Sequence, residues 1–89
     1  MPYIYLLRCV DGSLYAGATT DLERRLAQHD RGTASAYTRS RRPVELAWSS
    51  RVATWSDALR GEDSVRKLPK GEKEKLVAGG RKRPRLKKR

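Results

Sequence analysis

An Asp11-Gly12 pair stands between two short apolar stretches, Pro2 to Cys9 and Leu14 to Ala18, and this commits the start of the chain to a β-hairpin. The first stretch is rich in Tyr, Ile and Leu, which suit a pleated, half-buried surface. The turn then decides which side chains meet. A two-residue Asp11-Gly12 turn sets Cys9 opposite Leu14 and sends Tyr5 and Tyr15 to opposite faces of the sheet. A three-residue loop, Val10-Asp11-Gly12 with Gly12 left-handed, moves the register by one residue and puts both tyrosines on one face. The sequence permits either.

Beyond the hairpin the elements are marked by their ends. Thr20 and Glu23 fit a capping box, Leu22 and Leu26 form an apolar stripe, and Gly32 ends the first helix. Residues 33–43 read as a polar loop, and a third strand is predicted from Val44 to Val52. A second helix is predicted from Ser56 to Lys67, and a short last one from Pro69 to Gly79-Gly80, weakened by Gly71. This pattern is α+β: a small three-stranded antiparallel sheet flanked by helices, in one domain over residues 1–78. With 89 residues, 37% of them hydrophobic and none of them Phe, four Tyr and two Trp must help fill the core. Their polar ends then need partners.

The net charge of +11 favours a polyanionic partner. Seven of the basic residues, among them Arg81, Lys82, Arg83 and Arg85, fall in the last eleven positions with no acidic residue, which leaves +4 for residues 1–78. Residues 79–89 therefore read as a disordered basic tail able to hold phosphates without a fold. The lone Cys9 excludes an internal disulfide, and no Cys/His cluster offers a zinc site. No stretch has the length of a signal peptide's apolar segment or of a membrane span. A soluble, unprocessed, cytoplasmic protein with no membrane partner is the expectation.

Two pairs of residues at helical spacing stand out. Arg25 and His29 are four apart on the first helix, and Glu62 and Arg66 four apart on the second. Trp55, Ala58, Leu59, Glu62, Val65 and Arg66 share one broad face by spacing, so a carboxylate there must find a cation, a donor or a metal. Each pair also reads as a solvated surface pair, with Glu62 bound to Arg66.

Taken in order, these residues resemble the GIY-YIG nuclease family. Tyr5 matches the tyrosine of the first motif, with Tyr3 in place of its glycine, and Tyr15-Ala16-Gly17 matches the second. Arg25 falls at the family's catalytic arginine, His29 at its histidine or tyrosine one turn later, and Glu62 at its metal-binding glutamate. The similarity spans roughly residues 2–77 and is closest to small stand-alone bacterial members of uncharacterised function, whose pattern is followed by the segments at 9–15, 21–26 and 37–39. The chain departs from many relatives at Ala18, where some carry lysine, and in containing no Asn.

The resemblance implies a metal-dependent DNA endonuclease, structure-selective or non-specific, serving repair or recombination. One divalent ion, Mg²⁺ or Mn²⁺, would sit on Glu62, with Arg25 stabilising charge on the phosphate and Tyr5 or Tyr15 as base. An ordinary tyrosine, with a pKa of ~10, is a poor base at neutral pH and needs tuning by Arg25, the metal or His29. Substrate contacts would come from Tyr37, Arg39, Arg41, Arg42 and the tail. No helix-turn-helix or zinc finger is present, so a protein partner or DNA shape would supply any specificity. Two other readings stay open: a nucleic-acid-binding module that kept this fold but lost the chemistry, and an RNA-associated protein held by its tail.

Overall fold

The computed structural model describes residues 1–80. Strands β1 (Tyr3–Arg8), β2 (Leu14–Thr19) and β3 (Glu45–Arg51) form an antiparallel sheet in the order β2-β1-β3. Helices α1 (Leu22–Arg31) and α2 (Ala36–Arg39) lie between β2 and β3, and α3 (Trp55–Arg66) and α4 (Lys70–Gly80) follow. The architecture is the α+β sheet-and-helix domain expected. Among the described residues, no helix is long and apolar enough to cross a membrane.

The hairpin takes the three-residue loop. Cys9 N donates to Ser13 O at 2.9 Å, Gly12 N donates to Cys9 O at 2.9 Å, and Gly12 has φ +87°. Asp11 Oδ1 closes the loop by accepting from Ser13 N (3.0 Å) and Ser13 Oγ (2.6 Å), a side-chain mimic of a backbone turn. In this register Tyr5 is opposite Gly17 and Leu7 opposite Tyr15. Because strand side chains alternate, Tyr5, Leu7, Tyr15 and Gly17 share one face, while Ile4, Leu6, Leu14 and Ala16 share the other.

The second face carries the core, where Ile4, Leu6, Leu14 and Ala16 pack with Ala58, Val65 and Val77 from α3 and α4. Closeness between α3 and β1 depends on Gly61, since a Cβ there would overlap the Ile4 side chain. That approach selects which stripe of α3 is buried. The broad face expected from spacing is therefore split: Ala58 and Val65 are buried, while Trp55 (44%) and Leu59 (46%) are exposed.

Local chemistry revises two of the expected elements. Asp21, not Thr20, caps α1 by accepting from Arg24 N at 3.1 Å, because Thr19 Oγ1 accepts the Asp21 N–H at 3.1 Å and sets the turn one residue later. The segment read as a polar loop contains α2, capped by Ser35 Oγ on Thr38 N at 3.1 Å. At four residues this helix is too short to show periodicity. Helix α4 ends at Gly80, within the expected Gly79-Gly80 stop, and the tail's Arg81, Lys82, Arg83 and Arg85 lie outside the described residues.

Helix α4 is tied to the hairpin by charge. Arg8 Nη2 donates to Glu74 Oε1 at 2.7 Å, and Lys70 Nζ donates to both Glu74 Oε2 (2.7 Å) and Gly12 O (2.8 Å). Hydrogen bonds from Arg8, then from Lys70, hold the Glu74 carboxyl down at about 2, against 4.5 ordinarily. A depressed carboxyl favours the folded state wherever it is ionised, so its contribution is complete above pH 4.5 and lost as pH falls toward 2. Glu74→Gln should accordingly melt at a lower temperature at pH 7, with the gap to the unsubstituted protein closing through that acid window. Thermal melts at stepped pH measure this, and a gap that persists unchanged at pH 2 contradicts it.

Candidate active site

Helix α1 covers the first face of the sheet and brings His29 down between the two tyrosines. His29 is 1% exposed, with its ring edge-on to Tyr5 (centroids 5.8 Å) and Tyr15 (5.5 Å). Its Nε2 lies 3.0 Å from Tyr5 Oη, and its Nδ1 lies 2.8 Å from Thr38 Oγ1. Burial, then the nearby Arg25 charge, pushes the imidazole pKa below its ordinary range, so the ring is neutral at neutral pH.

Tyr5 is as enclosed as His29, at 1% exposure. Its ring lies so close to Gly17 that a Cβ at position 17 would overlap the ring and hydroxyl, which gives the glycine of the second motif a steric reason. Burial pushes the Tyr5 hydroxyl up to about 12, and the charges of Tyr15 and Glu62 act in the same direction. Arg25 opposes them. Arg25 is oriented by its neighbour one turn on, donating from Nε to Gln28 Oε1 at 3.0 Å. It opens onto a cleft of about 260 Å³ lined also by Thr19, Thr20, Asp21, Arg24 and Gln28.

Glu62 reaches the group from the other side of the sheet. It belongs to α3, which packs on the Ile4 and Leu6 face, and its Oε2 accepts from Arg66 Nη1 at 2.8 Å. Four positions after Ala58 and three before Val65, it lies beside the buried stripe of α3, and its side chain is 18% exposed and paired with Arg66. Its charge still acts on the Tyr5 hydroxyl. Among the described residues no group of three or more His, Cys, Asp or Glu is placed to hold a metal. A single carboxylate fits a hydrated Mg²⁺ that takes its other ligands from water and substrate phosphate, and it does not fit an all-protein cage.

The loop residues expected to bind substrate are engaged within the protein. Tyr37 stacks on Tyr15 (5.6 Å, 24°) and donates its hydroxyl to Ser13 Oγ at 2.9 Å. Arg41 lies 3.8 Å over the Tyr37 ring and donates to Asp11 Oδ2 at 3.0 Å. Arg42 donates to the Arg39 and Asp30 carbonyls at 3.1 and 3.2 Å, and Arg39 is exposed. These contacts fasten α2 to the hairpin loop and wall the site beside Tyr15.

Sequence reasoning missed Thr38, Ser35 and Gln28. Thr38 is 0% exposed, and its Oγ1 also meets Ser35 Oγ at 3.0 Å. The signal for it was the Ser-x-x-Thr spacing of a cap at 35–38, and for Gln28 its place one turn after Arg25.

Residues 1–75 match the model of the GIY-YIG catalytic domain. The chain is 46% identical over 76 residues to a UPF0213 protein of Natronomonas pharaonis, covering 85% of this chain and 89% of that one. It is 40% identical over 78 residues to a UPF0213 protein of Staphylococcus saprophyticus, covering 88% and 95%. The solution NMR structure of a UPF0213 protein from Bacillus halodurans aligns with a TM-score of 0.59 at 39% identity, covering 92% of this chain and 89% of that one.

Proposed function

The chain belongs to the GIY-YIG nuclease family, which acts on DNA, and from that premise we propose that it is a cytoplasmic, metal-dependent endonuclease of structured or non-specific DNA, serving repair or recombination. The observation that carries this reading is the Tyr5 Oη to His29 Nε2 contact of 3.0 Å, with Arg25 beside it and the Glu62 charge acting on the same hydroxyl.

Hydrolysis joins a water oxygen to phosphorus and breaks the bond to one nucleoside oxygen, which leaves and takes a proton from solvent. A Tyr5 hydroxyl held up to about 12 does not ionise at neutral pH. It can instead accept a proton from the attacking water while passing its own to His29 Nε2. Neutral imidazole is the form that can take that proton, and burial is what keeps it neutral. Arg25, fixed by Gln28, stands as a cation for charge gathering on the non-bridging oxygens. Burial of the Tyr5 and His29 rings lowers the local dielectric and strengthens the hydrogen bond between them. Glu62 would hold one Mg²⁺ or Mn²⁺, which supplies Lewis-acid polarisation of the phosphate.

One contact favours a second reading, a DNA- or RNA-binding module without cleavage: Arg66 occupies the Glu62 carboxylate. Incubating branched, nicked, single-stranded and duplex DNA with the protein and Mg²⁺ or Mn²⁺ separates the two. Product that requires the metal and disappears in Glu62→Gln is expected. Binding with no product from any substrate overturns the nuclease reading.

A further inference from the structure

We propose that Thr38 is a positioning residue that fixes the tautomer of His29, holding the proton on Nδ1 so that Nε2 remains a bare acceptor aimed at Tyr5. The proposal rests on the reading of Tyr5 and His29 as a proton-transfer pair, and it follows from how few hydroxyl protons are available.

Two arrangements satisfy the distances. In the first, Thr38 donates to His29 Nδ1, so the ring proton is on Nε2 and points at Tyr5 Oη. In the second, His29 Nδ1–H donates to Thr38 Oγ1 at 2.8 Å and Tyr5 O–H donates to Nε2 at 3.0 Å. The surroundings of Tyr5 decide between them. Tyr5 keeps its proton at neutral pH and is 1% exposed, and among the described residues His29 Nε2 is the acceptor within hydrogen-bond distance of Oη. The first arrangement leaves the buried Tyr5 O–H with no acceptor among the described residues, which costs the full desolvation of that donor.

Thr38 can play the accepting role because its own proton has another destination. Its Oγ1 donates to the Ser35 carbonyl at 3.4 Å, and that carbonyl only accepts. Ser35 Oγ, at 3.0 Å, can add a second donor to Thr38 Oγ1. The cap that starts α2 thus also orients the imidazole from behind, and α2 is held against the sheet by Tyr37 and Arg41. A helix of four residues thereby determines which ring nitrogen can accept a proton. The charged and titratable groups facing His29 are Arg25 and Asp30 from its own helix and Tyr5 and Tyr15 from the sheet.

The test reads the tautomer directly. Nitrogen-15 shifts of the single histidine in the full chain at pH 7 should show Nδ1 protonated and Nε2 bare, and Thr38→Val should move population to the Nε2–H form. Cleavage by Thr38→Val should fall about 10- to 100-fold, as for partners that orient a functional histidine elsewhere, and Thr38→Ser should restore both tautomer and rate. An unsubstituted protein with Nε2 protonated overturns the proposal, as does a folded Thr38→Val that keeps the Nδ1–H form. Failure of Thr38→Val to fold leaves the decision to the unsubstituted protein and Thr38→Ser. A protein that shows the expected tautomers and cuts no DNA refutes the nuclease reading and leaves the Thr38 assignment standing.

Discussion

Arg25→Ala should lower the rate of DNA cleavage at saturating substrate by about 10²- to 10³-fold while leaving DNA affinity within a few-fold. A preorganised donor aimed at developing charge accounts for about 2.7–4 kcal/mol of barrier, and the effect falls on turnover because that charge forms only as the bond breaks. Two features make Arg25 the residue to test. Its guanidinium is held by Gln28 Oε1 at 3.0 Å, so little reorganisation is needed when substrate arrives. It also favours the ionised form of Tyr5, against burial. Removing it therefore raises the cost of the negative charge that gathers on the phosphate. Single-turnover cleavage alongside a binding titration separates the two parameters. A variant that loses affinity and keeps its turnover would reassign Arg25 to substrate attachment.

Tyr5→Phe should cost about 10²- to 10⁴-fold in the same assay, the range for loss of a positioned acid-base group. Phenylalanine retains the ring that packs over Gly17 and loses only the hydroxyl that meets His29, so the fold is preserved. The pH dependence supplies a second check on the pair. The His29 pKa is depressed by burial and then by Arg25, so the neutral ring persists below the ordinary 6.5. Cleavage limited by the neutral imidazole should hold level as pH falls through 6.5 and decline only at lower values, once the ring is protonated and can no longer accept from Tyr5. A pH-rate profile of the unsubstituted protein measures this. A rate that already halves at 6.5, or a fully active Tyr5→Phe, would remove the Tyr5 and His29 pair from the chemistry.

Residues whose partners lie within a few positions were legible without coordinates. Gly32 ending α1, Arg25 and His29 one turn apart, and the Glu62 to Arg66 pair all follow from helical spacing and end chemistry. The two possible hairpin loops were also local, and Gly12 with φ +87° settles which is used. The one-residue shift between them is what places Tyr5 and Tyr15 on a common face.

What spacing left undecided depends on elements far apart in the chain. Which stripe of α3 is buried follows from Gly61 meeting Ile4, 57 positions earlier, and that approach leaves Trp55 and Leu59 exposed. Thr38 is nine positions from His29, on a helix too short to announce itself, and its link to the ring exists only because Tyr37 and Arg41 fasten that helix to the hairpin loop. The sequence by itself determined the three strands, the helices α1, α3 and α4 and the order of the reactive residues, because hydrogen bonds and side-chain spacing within a turn or two are local. Only the tertiary structure decided which faces meet and which nitrogen of His29 faces Tyr5, because burial and long-range hydrogen bonds take their direction from partners the local sequence does not contain.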